Sequence, residues 1–143
     1  MSGMIDPWTL EEWATFAKSK SYSPYSKFPV GAAIEAADGR IFLGTNVENA
    51  SYGLTVCAER VAAFAAVTAG ATRFVRVAVT SNNRGGGAPC GACRQVLYEF
   101  GGPELEVHCF GTEYGNTDKM KDILPNAFGP EHLLEVSGYG HGV

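Results

Sequence analysis

No stretch of this sequence is apolar for long. The longest uninterrupted run, Val61 to Val67, has seven residues, where a helix crossing a bilayer needs ~20, so a helical membrane protein is excluded. The first 17 residues contain no Lys or Arg. That leaves no positively charged n-region for a secretory signal, and a cytoplasmic protein is expected. Basic residues are few as well, 11 against 15 acidic ones for a formal net charge of −4. They are scattered from Lys18 to Lys121, so the concentrated positive footprint of a nucleic-acid binder is missing. Repeats, heptads, low-complexity tracts and Ser/Pro-rich linkers are absent too. A length of 143 residues, against a usual ~100–200 per domain, predicts a single domain over residues 1–143 with a core of ordinary size.

What is present is a normal apolar fraction of 45%, an excess of glycine (18 residues) and four cysteines. The apolar fraction argues against disorder. Without a secretory signal, the cysteines read as metal ligands or catalytic groups rather than as a disulfide framework.

Along the chain, Asp6-Pro7 reads as an N-cap followed by proline at the first helical position, with Leu10, Trp13, Ala14 and Ala17 on one apolar face. Tyr22 to Pro29 carries two prolines and reads as a loop. Strands are expected at Val30 to Ala36 and Arg40 to Val47, joined by Ala37-Asp38-Gly39 as a hairpin turn. Thr55 is the expected cap of an alanine-rich helix that runs to about Ala69 and stops at Gly70. Phe74 to Ser81 alternates like a central strand, and Arg84 to Gly87 is a flexible loop. A helix follows from near Gly91 to Gly101-Gly102-Pro103, then a strand over Leu105 to Phe110. Asp118 to Leu124 fits strand or helix, and Gly138 to Val143 reads as a frayed tail. This order predicts an α/β protein, a three-layer α/β/α sandwich around a mixed, roughly five-stranded sheet.

Chemistry concentrates in two short motifs, Cys57-Ala58-Glu59-Arg60 and Pro89-Cys90-Gly91-Ala92-Cys93, each at a helix start. Three thiolates fill three tetrahedral positions on Zn²⁺ and leave the fourth to water, the pattern of a catalytic site; a structural site takes four protein ligands. Helix N-termini favour both thiolate and metal. The cluster is anionic, so it needs positive support. Arg60, three residues after Cys57 and on its helical face, can supply that. Glu59 is not needed as a ligand and is free to shuttle protons, provided the metal lies over the helix end. Other readings stay open at this point. Cys93 shares a helical stripe with Val96, Leu97 and Phe100 and fits a core position; the Cys-x-x-Cys pair fits a redox role; and Cys109 could close a structural site of four cysteines. Cys109 shares a strand face with Leu105 and Val107, which favours a small buried hydrophobe.

At these residues the sequence resembles the zinc-dependent nucleoside deaminases, and most closely the small homotetrameric cytidine deaminases. Beyond the cysteine motifs the resemblance covers four blocks. These are Tyr22 to Ala33 (Tyr-Ser-Pro-Tyr-Ser-Lys-Phe-Pro-Val-Gly-Ala-Ala), Asn46 to Thr55, Pro89 to Leu97 and Leu124 to Pro130. Arg84 to Ala88 and Tyr114 to Lys121 depart from the family pattern. The resemblance implies one Zn²⁺ per chain on Cys57, Cys90 and Cys93, with Glu59 as the proton shuttle. It implies that Asn46 and Glu48 bind the ribose 3′-hydroxyl and that Phe28 stacks on the pyrimidine. Tyr52 and Ala58 would line the pocket, and Phe128 would reach a neighbouring subunit's pocket in a homotetramer. The activity implied is hydrolytic deamination of cytidine and deoxycytidine in pyrimidine salvage, with neither nucleic acid nor membrane as partner. The alternatives are deamination of a cytosine-containing nucleoside antibiotic and a non-catalytic zinc scaffold.

Overall fold

A computed structural model describes residues 8–134. The first helix, α1, spans Leu10–Lys18 and starts at a capping box. Thr9 Oγ1 accepts from the Glu12 amide at 3.1 Å, and Glu12 Oε1 accepts from the Thr9 amide at 3.0 Å. Two otherwise orphaned N–H groups are satisfied reciprocally, so Thr9-x-x-Glu12 sets the start. The start expected at Asp6-Pro7 and the tail expected at Gly138 to Val143 lie outside the described residues. Leu10, Ala14 and Ala17 are buried on the predicted apolar face.

Strand β1 spans Val30–Ala36 and β2 spans Ile41–Thr45. They pair antiparallel, with Ala33 opposite Leu43. Gly39 takes φ +91° in the turn between them, a conformation that glycine adopts without steric cost. β2 is shorter than expected: at Asn46 the backbone amide donates to the Val30 carbonyl at 3.3 Å, while the return bond from the Val30 amide, at 3.0 Å, goes to the Asn46 side-chain Oδ1. Beyond it Val47 forms an isolated bridge with Val56.

Helix α2 spans Ala58–Thr68 and β3 spans Phe74–Ser81. Then come helix α3 (Gly91–Gly101) and strand β4 (Glu106–Phe110). The segment that fitted either strand or helix divides into β5, Gly115–Lys119, and a short helix α4, Met120–Ile123. The sheet order is β2-β1-β3-β4-β5, with β3 and β4 parallel and the other pairs antiparallel, so β3 is central as expected. Helix α3 is the crossover that the parallel pair requires.

Side chains alternate across β1. Ala32, Ile34 and Ala36 point into a core shared with α2 and with Leu97 of α3. Ala33 points the other way, with Ala78, against Leu10 and Ala14 of α1. One helix therefore covers one face and two cover the other, giving the three layers. Small residues let α2 sit close to the sheet. A Cβ on Gly44 of β2 would lie 2.3 Å from both the Ala58 carbonyl oxygen and the Ala62 amide. That contact fixes the first turn of α2, where the cysteine motif begins.

Candidate metal centre and active site

Helices α2 and α3 both begin at a cysteine. Cys57 is the N-cap of α2 and Cys90 that of α3, and neither makes a side-chain capping bond. This corrects the expectation that Thr55 caps α2. Thr55 instead closes a 3-10 turn over Tyr52–Leu54, and its hydroxyl accepts from the Asn49 amide. The consequence is chemical: the thiols replace capping oxygens at two helix N-termini, where amide dipoles favour thiolate.

The sulfurs of Cys57, Cys90 and Cys93 lie within 4.8 Å of one another, the single such group of metal-ligating side chains among the described residues. Cys57 and Cys90 Sγ are 3.9 Å apart, and Cys90 and Cys93 Sγ 3.5 Å. Sulfurs bound to one tetrahedral Zn²⁺ at ~2.3 Å stand about 3.8 Å apart. The donor set therefore fits zinc in both kind and spacing. Cys109 does not join it. It is buried in the core on β4, opposite Val79, and burial pushes its thiol up to about 12. Closure of a four-cysteine site by Cys109 is thus not what the fold arranges. Cys93 is buried, as its stripe with Leu97 suggested, yet its sulfur faces the other two.

Arg60 Nη2 donates to Cys57 Sγ at 3.4 Å. The Cys57 thiol is drawn down to about 5, chiefly because Cys93 hydrogen-bonds to it, with Arg60 and Cys90 adding to the effect against burial. Cys93 is pushed up correspondingly. The Arg60 guanidinium, beside these sulfurs, is held firmly in its charged form. Glu59, in the first turn of α2, is only 5% exposed. Desolvation lifts its carboxyl to about 7, with the nearby Cys57 charge adding to the rise; its own backbone amide and Arg60 pull the other way. Burial outweighs the helix N-terminus here.

Glu59, Cys57 and Cys90 open onto a cavity of about 460 Å³, which Phe28, Asn46, Glu48 and Ala58 also line. That volume is typical of a small-molecule site. A larger hollow of about 570 Å³ lies beside α1, lined by Trp8, Glu11 and Phe16 among others, and holds neither a cysteine nor Glu59. Phe28 is 39% exposed at the cavity rather than an ordinary core aromatic. Asn46 is 7% exposed and already bonded: Nδ2 donates to the Phe28 carbonyl at 2.8 Å, and Oδ1 accepts from the Val30 amide and the Ser21 hydroxyl. It is a buried structural amide, not a solvated strand end. Glu48 Oε1 accepts from the Tyr25 and Ser26 amides at 3.0 and 3.1 Å, and Oε2 accepts from the Ser26 hydroxyl. The Ser26 hydroxyl, followed by the backbone amides and Lys27, holds this carboxyl below its usual range.

Two expected site residues stand apart from this lining. Tyr52 is 76% exposed and borders a neighbouring hollow with Tyr25 and Thr55. Phe128 is 58% exposed and stacks on His132 at 5.3 Å. Its carbonyl accepts from Gln95 Nε2 on α3. The cavity adds residues that sequence reasoning missed, Ser26, Thr80 and Ser81. The signal was available for the last two, polar residues closing an apolar central strand at the carboxyl edge of the sheet.

Comparison with known proteins finds relatives over most of the chain. Residues 8–109 match the family model described as the cytidine and deoxycytidylate deaminase zinc-binding region. A cytidine deaminase of Sporosarcina psychrophila is 44% identical over 119 residues, covering 82% of this chain and 87% of that one. A cytidine deaminase of Mycobacterium tuberculosis is 43% identical over 120 residues, covering 84% and 87%. The crystal structure of a cytidine deaminase from Burkholderia pseudomallei superposes with a TM-score of 0.80 at 49% identity, covering 83% of this chain and 96% of that one. With three zinc-competent sulfurs, a buried glutamate beside them and relatives matched over most of their length, this chain belongs to the zinc-binding cytidine and deoxycytidylate deaminase family.

Proposed function

We propose that this chain hydrolyses cytidine and deoxycytidine to uridine and deoxyuridine with release of ammonia, as a cytoplasmic enzyme of pyrimidine salvage. One observation carries the reading. Glu59, a buried carboxyl lifted to about 7, opens onto the same cavity as the sulfurs at two helix N-termini. Cys57, Cys90 and Cys93 would hold zinc, which when bound supplies a nucleophile from water at neutral pH. Glu59 would take one proton from the water attacking C4 and deliver it to N3 of the base. It would then carry the remaining proton of the new C4 hydroxyl to the 4-amino group, so that the C4–N bond breaks, the C4 carbonyl forms and ammonia leaves. A single group serving as base and then acid works best with a pKa near the working pH. Arg60 tempers the charge on the sulfurs, and Phe28 offers its ring to the base.

Hydrogen-bond valence supports the sugar assignment. A primary amide has two N–H donors, and Asn46 has committed one of them, to the Phe28 carbonyl. An ionised carboxylate has about four acceptor positions, and Glu48 has filled three. One donor and one acceptor remain, which suits a single hydroxyl that accepts from Asn46 and donates to Glu48. The ribose 3′-hydroxyl is that group. Phe128 is exposed on a segment strapped to α3, which supports its reaching a second copy's cavity in a homotetramer.

The test is an ultraviolet absorbance assay of the zinc-loaded protein with cytidine, before and after treatment with a chelator able to strip the site. Conversion that disappears with the metal and returns with added Zn²⁺ is the expected outcome. No conversion by the zinc-loaded protein overturns the reading.

A further inference from the structure

Both backbone groups of Phe28 are tied to the residues assigned to the sugar. Its carbonyl accepts from Asn46 Nδ2 at 2.8 Å. Its amide donates to Ser26 Oγ at 3.0 Å, and the Ser26 hydroxyl in turn donates to Glu48 Oε2. Asn46 therefore holds one side of Phe28 directly, and Glu48 holds the other through a single hydroxyl. Between Ser26 and Phe28, Lys27 takes φ +57°. That left-handed conformation is unfavourable for a residue with a Cβ, and surrounding bonds must keep it. The Lys27 amide donates to the Ser23 carbonyl at 3.0 Å, and the Ser26 hydroxyl secures the far side.

We infer that Ser26 is a positioning residue: its hydroxyl couples the sugar-binding carboxylate of Glu48 to the base-stacking ring of Phe28, so that the nucleoside is read as one unit. The geometry gives the hydroxyl both roles at once, as donor to an ionised acceptor and acceptor from a backbone amide. No other side chain bonds to both Glu48 and the Phe28 backbone among the described residues. A methyl in its place leaves the Phe28 amide without its acceptor and Glu48 short of one charge-assisted bond. The Glu48 carboxylate then turns more freely, and the Phe28 ring is no longer held over the base.

This inference rests on the nucleoside deaminase reading, and the two fail separately. If the zinc-loaded wild type does not convert cytidine, that reading falls. If it does, steady-state kinetics of Ser26→Ala decide the role of the hydroxyl. The expected result is a KM for cytidine raised about tenfold with kcat within about twofold, at unchanged zinc content. Ser26→Thr, which keeps the hydroxyl at an exposed position, is expected to recover KM to within about threefold of wild type. In a Phe28→Leu background the effect of Ser26→Ala on KM should shrink to about threefold, because the share that acts through the ring is gone and only the share that acts through Glu48 remains. An unchanged KM, a loss confined to kcat, no recovery by threonine, or independent multiplication of the two substitutions overturns the inference. Should Ser26→Ala fail to fold, Ser26→Cys, near-isosteric with weaker hydrogen bonds, carries the same comparison.

Discussion

Glu59 occupies a position that works against its own ionisation. At 5% exposure it has little water to solvate a charge, and the Cys57 sulfur stands nearby. A glutamine of the same shape leaves the three sulfurs untouched and removes the proton acceptor. Glu59→Gln should retain one zinc per chain by metal analysis while kcat falls by about three orders of magnitude or more; turnover at the wild-type rate would remove Glu59 from the reaction. The same substitution has a consequence for stability in the metal-free protein. Between the ordinary carboxyl value of 4.5 and about 7 the folded state holds a proton on Glu59 that the unfolded chain has released. The contribution of Glu59 to stability therefore falls as pH rises through that window. Gln carries no such penalty, so chelator-treated Glu59→Gln should match wild type below about pH 4.5 and exceed it by up to about 3 kcal/mol at pH 8. Urea denaturation across that range measures the difference, and a gap that does not grow with pH refutes the assignment. The cysteines and Glu59 were legible because metal chemistry demands particular residue types at short spacings. Ser26 was not, because a serine among the serines of one loop acquires its role only when Glu48 arrives from 22 positions away.

Elements were legible where a core face imposes a period. The strand Val30–Ala36 and the helix Gly91–Gly101 coincide with their expected bounds, since alternating or helical burial leaves a pattern in the apolar residues. Strand β5 buries almost nothing and reads Gly-Asn-Thr-Asp-Lys, so periodicity carried no information about it. The start of α2 was misplaced because cysteine is not ordinarily a cap, and the residue that looked like one serves the preceding turn. What holds the start of α2 in register is Gly44. Gly44→Ala drives a methyl into the Ala58 carbonyl and the Ala62 amide, so α2 must lift from the sheet and carry Cys57 and Glu59 with it. The expected cost is about 1–3 kcal/mol together with weaker zinc binding. Gly39→Ala is the matched comparison. A Cβ there meets nothing within 4 Å, but φ is +91°, so about 1 kcal/mol should be lost with zinc affinity unchanged. Thermal melts and metal competition on the two variants separate close packing from backbone strain. Equal zinc affinity in both would mean that Gly44 does not position the metal helix.

Assembly is the least legible level in one chain's sequence, because an interface residue and a surface residue can look alike. Some exposed apolar side chains lie in chain segments next to cavity-lining residues, Tyr25 and Val47 beside Ser26 and Asn46 and Leu54 beside Thr55. Phe128 projects from the segment bonded to α3; others, such as Trp8, Phe16 and Phe64, lie elsewhere. Exposed apolar surface beside a binding site is a candidate for cover by a partner. In the homotetramer proposed above, that partner is another copy of the chain, and a mixing experiment tests it. Phe128→Ala should bind cytidine more weakly, with KM raised about tenfold, because an aromatic contact is lost. Glu59→Gln should be inactive but still carry an intact Phe128. When the two variants are unfolded, mixed and refolded with zinc, some assemblies place the Phe128 of a Glu59→Gln chain at the cavity of a Phe128→Ala chain. That cavity then has both its own Glu59 and a borrowed phenylalanine, and activity at low cytidine should exceed the sum of the separately refolded variants. If Phe128 instead serves the cavity of its own chain, no assembly combines the two intact groups and the mixture stays additive. Native mass spectrometry of the same samples, which resolves the mass lost at each Phe128→Ala chain, checks that mixed tetramers formed, so an additive result with mixed tetramers present removes Phe128 from the neighbouring site.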